Sequence, residues 1–265
     1  MNENITVFVT NLDDKHERRN FIQKQLSVNG INLEFVKCID GRKWTDQDIE
    51  KNVSKSLLSL YNKNFTWLSK GAIAATKTVV ERVYTEIVNR GLDYALFFED
   101  DVTFPENPSK YLHEILTEIR RKKIDGVILL HYHALEATIL KKDSKISLSK
   151  ELDIFPLPID HKIASGAGFI ISNSHAKTMV QTQTPIDRIG DWWSAHVKSG
   201  GLKNVYIIHP MVLRVGEFES TLGYNDRKTI KGMISSFIKF LPFSHKILAY
   251  LRTKNHSSKS NISFQ

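Results

Sequence analysis

Tyr94-Ala-Leu-Phe-Phe98, followed at once by Glu99-Asp100-Asp101, is the stretch on which the reading of this chain turns. The first five residues form a nearly continuous apolar run, the pattern of a strand buried on both faces of a parallel sheet. Three consecutive carboxylates then stand where such a strand would end. In open α/β sheets ligands bind outside the carboxyl ends of the strands. Residues i and i+2 of an extended segment point the same way, so Glu99 and Asp101 are expected to converge and Asp100 to point elsewhere. Two hard oxygen ligands suit Mg²⁺ or Mn²⁺, which complete their shells with water and substrate phosphate. Without a cation, anions this close to an apolar sheet repel and their pKa values rise. The plainer alternative is a helix-capping or solvated acidic turn.

Outward from this strand the chain alternates. Ile5–Leu12 and Leu33–Ile39 read as strands, and Gly126–Leu130 as the strand after the acidic run. Helices are expected between them: one through Phe21, Ile22 and Leu26, one capped by Thr45 and running to Leu60, and a longer one from Ser69 to Gly91. Asn107-Pro108 starts another. Strand–helix alternation implies a mainly parallel sheet with helices on both faces. Beyond Lys141 the strands crowd together, with Gly166–Ser172 and Val205–Ile208 the clearest, so an α+β half is expected there.

The 265 residues carry a net charge of +8, with 41% apolar and 25% charged residues, an ordinary globular composition. The charge is localised. From Arg227 to Gln265 there are eight Lys/Arg and no Asp or Glu, which leaves residues 1–226 formally neutral. A nucleic-acid enzyme would spread basic residues over its working face, so no nucleic-acid partner is expected. The same segment carries Ile230, Phe237, Leu241, Phe243 and Leu251, and a basic amphipathic stretch of this kind lies at an anionic membrane interface. Packing on the domain is the alternative. Two units follow: a domain over 1–226 and a basic amphipathic tail over 227–265, polar after Thr253 and expected to be disordered there. The lone Cys38 excludes an intramolecular disulfide framework. With a first strand near Ile5, no apolar leader and no run of ~18 apolar residues, the expected place is the cytoplasm, peripheral on the inner face of the cytoplasmic membrane.

Six pieces of the chain, in order, resemble the bacterial lipooligosaccharide/lipopolysaccharide glycosyltransferase family (glycosyltransferase family 25), which includes the collagen galactosyltransferases. They are Asn11-Leu12 with Arg18-Arg19, Ile39-Asp40-Gly41, Phe98-Glu99-Asp100-Asp101-Val102, Gly168–Ser172 with Ala176 after it, Pro185-Ile-Asp187, and Phe218-Glu219-Ser220. One departure stands out. Gly71-Ala-Ile-Ala-Ala75 with Thr78-Val79 replaces the family's Gly-Glu-Ile-Gly-Cys and Ser-His.

The resemblance implies a GT-A-like (Rossmann-like) fold and a UDP-sugar donor, with galactose the first choice. It also implies Mn²⁺ or Mg²⁺, and an inverting transfer to a glycolipid acceptor. Glu99 and Asp101 would then hold the metal, with Asp100 beside them. Asn11 and Asp40, on turns after the first two strands, would meet uridine and ribose, and Arg18 would approach the diphosphate. Inversion needs a general base near the acceptor hydroxyl. Asp187 is the first candidate, as base or further metal ligand, with helix capping as its structural alternative; Asp191, Glu217 and Glu219 follow. His131 and His133 are read as acceptor contacts or packing, and Trp192 and Trp193 as sugar-stacking or core residues. A metal-dependent phosphohydrolase and a non-catalytic membrane-associated binding protein are the competing readings.

Overall fold

In a computed structural model the described residues are 6–28, 31, 33–65, 67–104, 108–134, 138–159, 163–222 and 262–264. The first half builds as the alternation predicts. Strand β1 (Val7–Asn11) leads through α1 (His16–Val28) to β2 (Leu33–Lys37), and both pair in parallel. After α2 (Asp46–Asn52) and α3 (Lys55–Asn62), one long helical stretch runs through α4 (Lys70–Thr78), a π-helical segment (Val79–Tyr84) and α5 (Thr85–Asn89). Strand β3 (Tyr94–Glu99) then inserts beside β1, again in parallel, with Val7 opposite Leu96 and Thr10 opposite Glu99.

The single helix expected from Thr45 to Leu60 is two. Thr45 and Asp48 do form the capping box of α2. Val53, however, is extended and bridges to Ile186, and Ser54 opens α3 by accepting from the Leu57 amide. A polar N-cap in mid-pattern thus ends one helix and starts the next.

After the short β4 (Val102–Thr103) come α6 (Pro108–Arg121), β5 (Val127–Leu129), β6 (His133–Ala134) and β7 (Thr138–Leu140). Strands β8 (Ile146–Ser147) and β9 (Asp153–Pro156) form a hairpin, and β10 (Ile163–Ala164) pairs with β6. Then follow β11 (Gly168–Ser172), α7 (Asn173–Thr182), α8 (Trp193–Lys198), β12 (Val205–His209) and β13 (Arg214–Val215). The main sheet has the order β2-β1-β3-β11-β5-β12-β9-β8. Six of its eight strands point one way, while β11 and β9 run against them. The GT-A-like expectation of a mostly parallel sheet between helical layers, with a more mixed second half, holds.

Alternate residues of β3 serve opposite layers. Leu96 and Phe98 face a core completed by Ile22 and Leu26 of α1 and by Leu112, Ile115 and Ile119 of α6. Ala95 and Phe97 face Val83, Ile87, Met179 and Trp193 on the other side. Trp193 is core, as one of the two tryptophans was expected to be. A third cluster, around Ile49, Leu57, Ile73, Ile186 and Ile189, ties α2, α3 and α4 to the loop before α8.

Most of the basic tail, residues 227–261, lies outside the described residues, and so does its expected membrane contact. Its end differs from the polar, unstructured finish expected: Ile262–Phe264 forms β14, parallel to β7. No helix among the described residues is long and apolar enough to cross a membrane.

Candidate active site

Strand β3 ends at Glu99, and Asp100 and Asp101 form a turn. The alternation of an extended chain stops there, so the three carboxylates do not sort simply by parity. Asp100 and Asp101 both turn toward Arg18, which reaches them from α1. Its Nη1 donates to Asp100 Oδ1 at 2.8 Å, and its Nη2 pairs with Asp101 Oδ2. Asn11, at the end of β1, donates from Nδ2 to the other oxygen of Asp100 at 2.6 Å. Asn11, Arg18, Asp100 and Asp101 are all buried.

Glu99 faces a different wall. A Cβ on Gly166 would lie 3.0 Å from Glu99 Oε1 and 3.8 Å from Asp191 Cβ, so both acidic side chains flank this residue and a larger one would press on the Glu99 carboxylate. The Glu99 amide bonds the Ala167 carbonyl at 2.9 Å, which brings the loop before β11 against the acidic run. Burial, then the charges of Asp101, Asp191 and Asp100, push Glu99 up to about 8. Burial also raises Asp191, to about 6. It lifts Asp100 and Asp101 as well, against the lowering pull of Arg18. Glu99, Asp101 and Asp191 therefore share one electrostatic neighbourhood at the carboxyl end of β3. Glu99 and Asp101 were expected to converge with Asp100 turned elsewhere; instead Asp100 and Asp101 turn together onto Arg18, and Asp101 reaches Glu99 through its charge.

The metal expected here fits these residues in part. Asp101 Oδ1 is buried without a hydrogen-bond partner, and an orphaned carboxylate oxygen beside a second carboxylate calls for a cation. Among the described residues no three His, Cys, Asp or Glu side chains form a ready cage. A Mg²⁺-type ion needs none, since one or two carboxylates plus substrate phosphates suffice.

The other expected site residues are committed locally. Asn11 donates its amide hydrogens to Asp100 and to the Lys15 carbonyl, 3.2 Å away. Arg18 has both Nη groups on buried carboxylates. Asp40 caps the turn Gly41–Lys43 and binds Arg42, which also forks onto Asp14. A ribose contact from Asp40 would have to displace Arg42. Cys38 lies near enough to Asp100 and Glu99 to feel them, and burial, then those charges, push its thiol up to about 12.

Asp187 stands apart from the acidic run. Its Oδ1 accepts from Ser54 Oγ at 2.7 Å and Ser56 Oγ at 2.8 Å, and Arg188 pairs with Oδ2 at 2.6 Å. Burial alone would raise Asp187, but these hydroxyls and Arg188 hold it below the ordinary carboxylate value. It pins the loop to the start of α3 and is a poor proton acceptor. Asp187→Asn is therefore expected to keep near-parental turnover and UDP affinity and to cost ~1 kcal/mol of stability. Paired kinetic and melting measurements check this, and a hundredfold rate loss in a folded variant would return Asp187 to the base role.

Residues that sequence reasoning passed over hold the loop bearing Asp191. The Gly190 amide donates to Thr76 Oγ1 of α4 at 2.9 Å, and His196 Nε2 lies 3.1 Å from the Ile189 carbonyl. On the other flank Trp193 Nε1 donates to the Ser165 carbonyl at 2.9 Å, and His131 Nδ1 meets Ser165 Oγ at 2.9 Å. Burial, then His133, push His131 down to about 3, so it stays neutral. The Gly166-Ala-Gly168 sequence was the one visible sign that a side chain must pass closely here.

The 71–79 helix packs through its small residues and presents the hydroxyls of Thr76 and Thr78 to neighbouring segments. Ala72, Ile73 and Ala74 are buried, and a Cβ on Gly71 would strike the Leu222 carbonyl at 2.7 Å.

The lipooligosaccharide biosynthesis protein lic2B of Haemophilus influenzae is 24% identical over 172 residues, which is 65% of this chain and 61% of that protein. Proteins of Rattus norvegicus and Bos taurus named "probable inactive glycosyltransferase 25 family member 3" are each 28% identical over 120 residues, 44% of this chain. The chain spans only 21% and 20% of their lengths. An apo UDP-glucose pyrophosphorylase structure aligns over 89% of this chain and 100% of its own, at 10% identity and a TM-score of 0.40, a likeness too slight to carry weight. Residues 4–191 match the model of "Glycosyltransferase family 25 (LPS biosynthesis protein)". With most of its length under that match, and the acidic run and its partners inside it, the chain belongs to glycosyltransferase family 25.

Proposed function

We propose that this chain transfers a hexose, galactose first, from a UDP-sugar to a lipooligosaccharide or lipopolysaccharide acceptor with inversion. The observation that carries the reading is the approach of Glu99 and Asp191 beside Gly166, with Asp101 near enough to Glu99 to raise its proton affinity and carrying one orphaned oxygen. Family membership and the name of the Haemophilus relative support the substrate class. Glu99 and Asp101 would hold Mn²⁺ or Mg²⁺, which supplies charge neutralisation to a diphosphate leaving group.

The chain's own residues do the rest. Asp191 replaces Asp187 as the base: raised to about 6, it is ionised at neutral pH yet more basic than an ordinary carboxylate. It takes the proton of the acceptor hydroxyl as that oxygen bonds the anomeric carbon, and the bond from that carbon to phosphate breaks with its electron pair leaving on UDP. Thr76 and His196 hold the Asp191 loop in place.

A thermal-shift titration with UDP-sugars, with and without Mn²⁺, tests the reading. Stabilisation by UDP-galactose or another UDP-hexose that requires Mn²⁺, with UDP released on adding acceptor, is the expected result. Absence of any UDP-dependent shift sinks it.

Membrane attachment through residues 227–265, on the inner face of the cytoplasmic membrane, belongs to the same proposal. At ~1 kcal/mol per basic residue near an anionic surface, half of the tail's eight would bind substantially. Replacing those eight by Gln should abolish salt-sensitive co-sedimentation with phosphatidylglycerol vesicles and spare UDP-sugar hydrolysis. Unchanged sedimentation would remove the tail from the account.

A further inference from the structure

We infer that Arg18 is a positioning residue that selects which oxygen of Asp101 faces the reaction centre. The inference rests on the metal-assisted reading above. One guanidinium meets two neighbouring buried carboxylates, Asp100 and Asp101. The guanidinium divides its two Nη groups between two different side chains, Asp100 and Asp101. Asp100 then has both oxygens occupied, Oδ1 by Arg18 and Oδ2 by Asn11. Asp101 has Oδ2 occupied, and its Oδ1 is buried with no partner.

Asp100 is thus the anchor of the fork, and Asp101 is the carboxylate that the fork aims. The plane of the fork is held too, with Arg18 Cζ 5.4 Å from the centroid of the Phe218 ring, which Phe21 meets edge-on at 5.1 Å. Only a planar, multidentate cation can span two carboxylates in this way. Residues that orient a metal ligand typically change metal affinity by 10–100-fold when altered.

The decisive variant is Arg18→Lys, which keeps the charge and loses the fork. The readout is Mn²⁺ affinity in the presence of UDP, followed by loss of the free-ion electron paramagnetic resonance signal. We expect affinity to fall ~10–100-fold while the apo melting temperature stays near the parent's. Arg90→Lys, which alters an exposed pair with Glu34, should leave Mn²⁺ affinity unchanged.

If Arg18→Lys does not fold, Arg18→Met combined with Asp100→Asn removes one charge of each sign and is expected to show the same loss. Parental Mn²⁺ affinity in either folded variant overturns the role of Arg18. Failure of the parent itself to take up Mn²⁺ with UDP overturns the metal-assisted reading instead, so the two failures are distinct.

Discussion

Asp101→Asn is expected to cut transfer by ~10³-fold or more and to remove Mn²⁺-dependent binding of UDP, with the apo fold intact. Several kcal/mol of transition-state stabilisation ride on a correctly held cation, and each 1.4 kcal/mol is about tenfold in rate. Asn keeps an oxygen for Arg18, so the ion-pair network loses charge and not shape.

The same substitution has a pH signature. Glu99 titrates at about 8 in the fold, far above its ordinary value. Between the two values the folded chain keeps a proton that the unfolded chain has lost, so apo stability falls as pH rises through that window. Asp191 adds to the decline between the ordinary aspartate value and about 6. Removing the Asp101 charge eases Glu99, and melting temperatures of Asp101→Asn should fall less from pH 5 to pH 8 than those of the parent. Full turnover, or an unaltered pH slope, would strip Asp101 of its place in the site.

Asp191→Asn is expected to lower transfer ~10²–10⁴-fold, the scale of general-base catalysis, with UDP affinity close to parental. The base meets the acceptor hydroxyl, and the nucleotide is held through other groups. In the parent, kcat/KM should climb with pH through about 6 as Asp191 gives up its proton. An amide cannot titrate, so that limb should vanish from the variant's profile. The contrast with Asp187→Asn is the sharper check. The two aspartates lie four residues apart in one loop, yet only the one beside Gly166 should matter to rate. A variant that loses UDP affinity in step with rate would make Asp191 a metal ligand.

The acidic run was readable in the chain because burial on both faces leaves an unbroken apolar mark, as in Ala95–Phe98, and carboxylates after it are conspicuous. The first three strands were legible in their apolar runs, and their parallel direction in the alternation with helices. Asp191 was harder to see. Its raised pKa arises from burial, in a place beside Gly166 and Glu99 that only the antiparallel insertion of β11 beside β3 creates. The ion pairs of Arg18 were not legible because helical spacing marks apolar faces and is silent on a charged residue drawn inward by carboxylates from another element. The break at Val53 was hidden because Ile49, Val53 and Leu57 keep helical spacing across it, and the bridge to Ile186 is a long-range contact.

Two threonines on one helix carry a further consequence. Thr76 Oγ1 takes the amide of Gly190 and Thr78 Oγ1 takes the amide of Ile39, each at 2.9 Å, so the segments leading to Asp191 and to Asp40 hang from neighbouring rungs of α4. Both hydroxyls are turned back on the helix, to Ala72 and Ala74. The helix therefore works as a gauge bar: its pitch, not loop length, fixes the span between the two segments. Exchanging either threonine for valine would keep the packing and release one end of the gauge. Serine at these places would preserve the calibration, since what the two positions must supply is an oxygen.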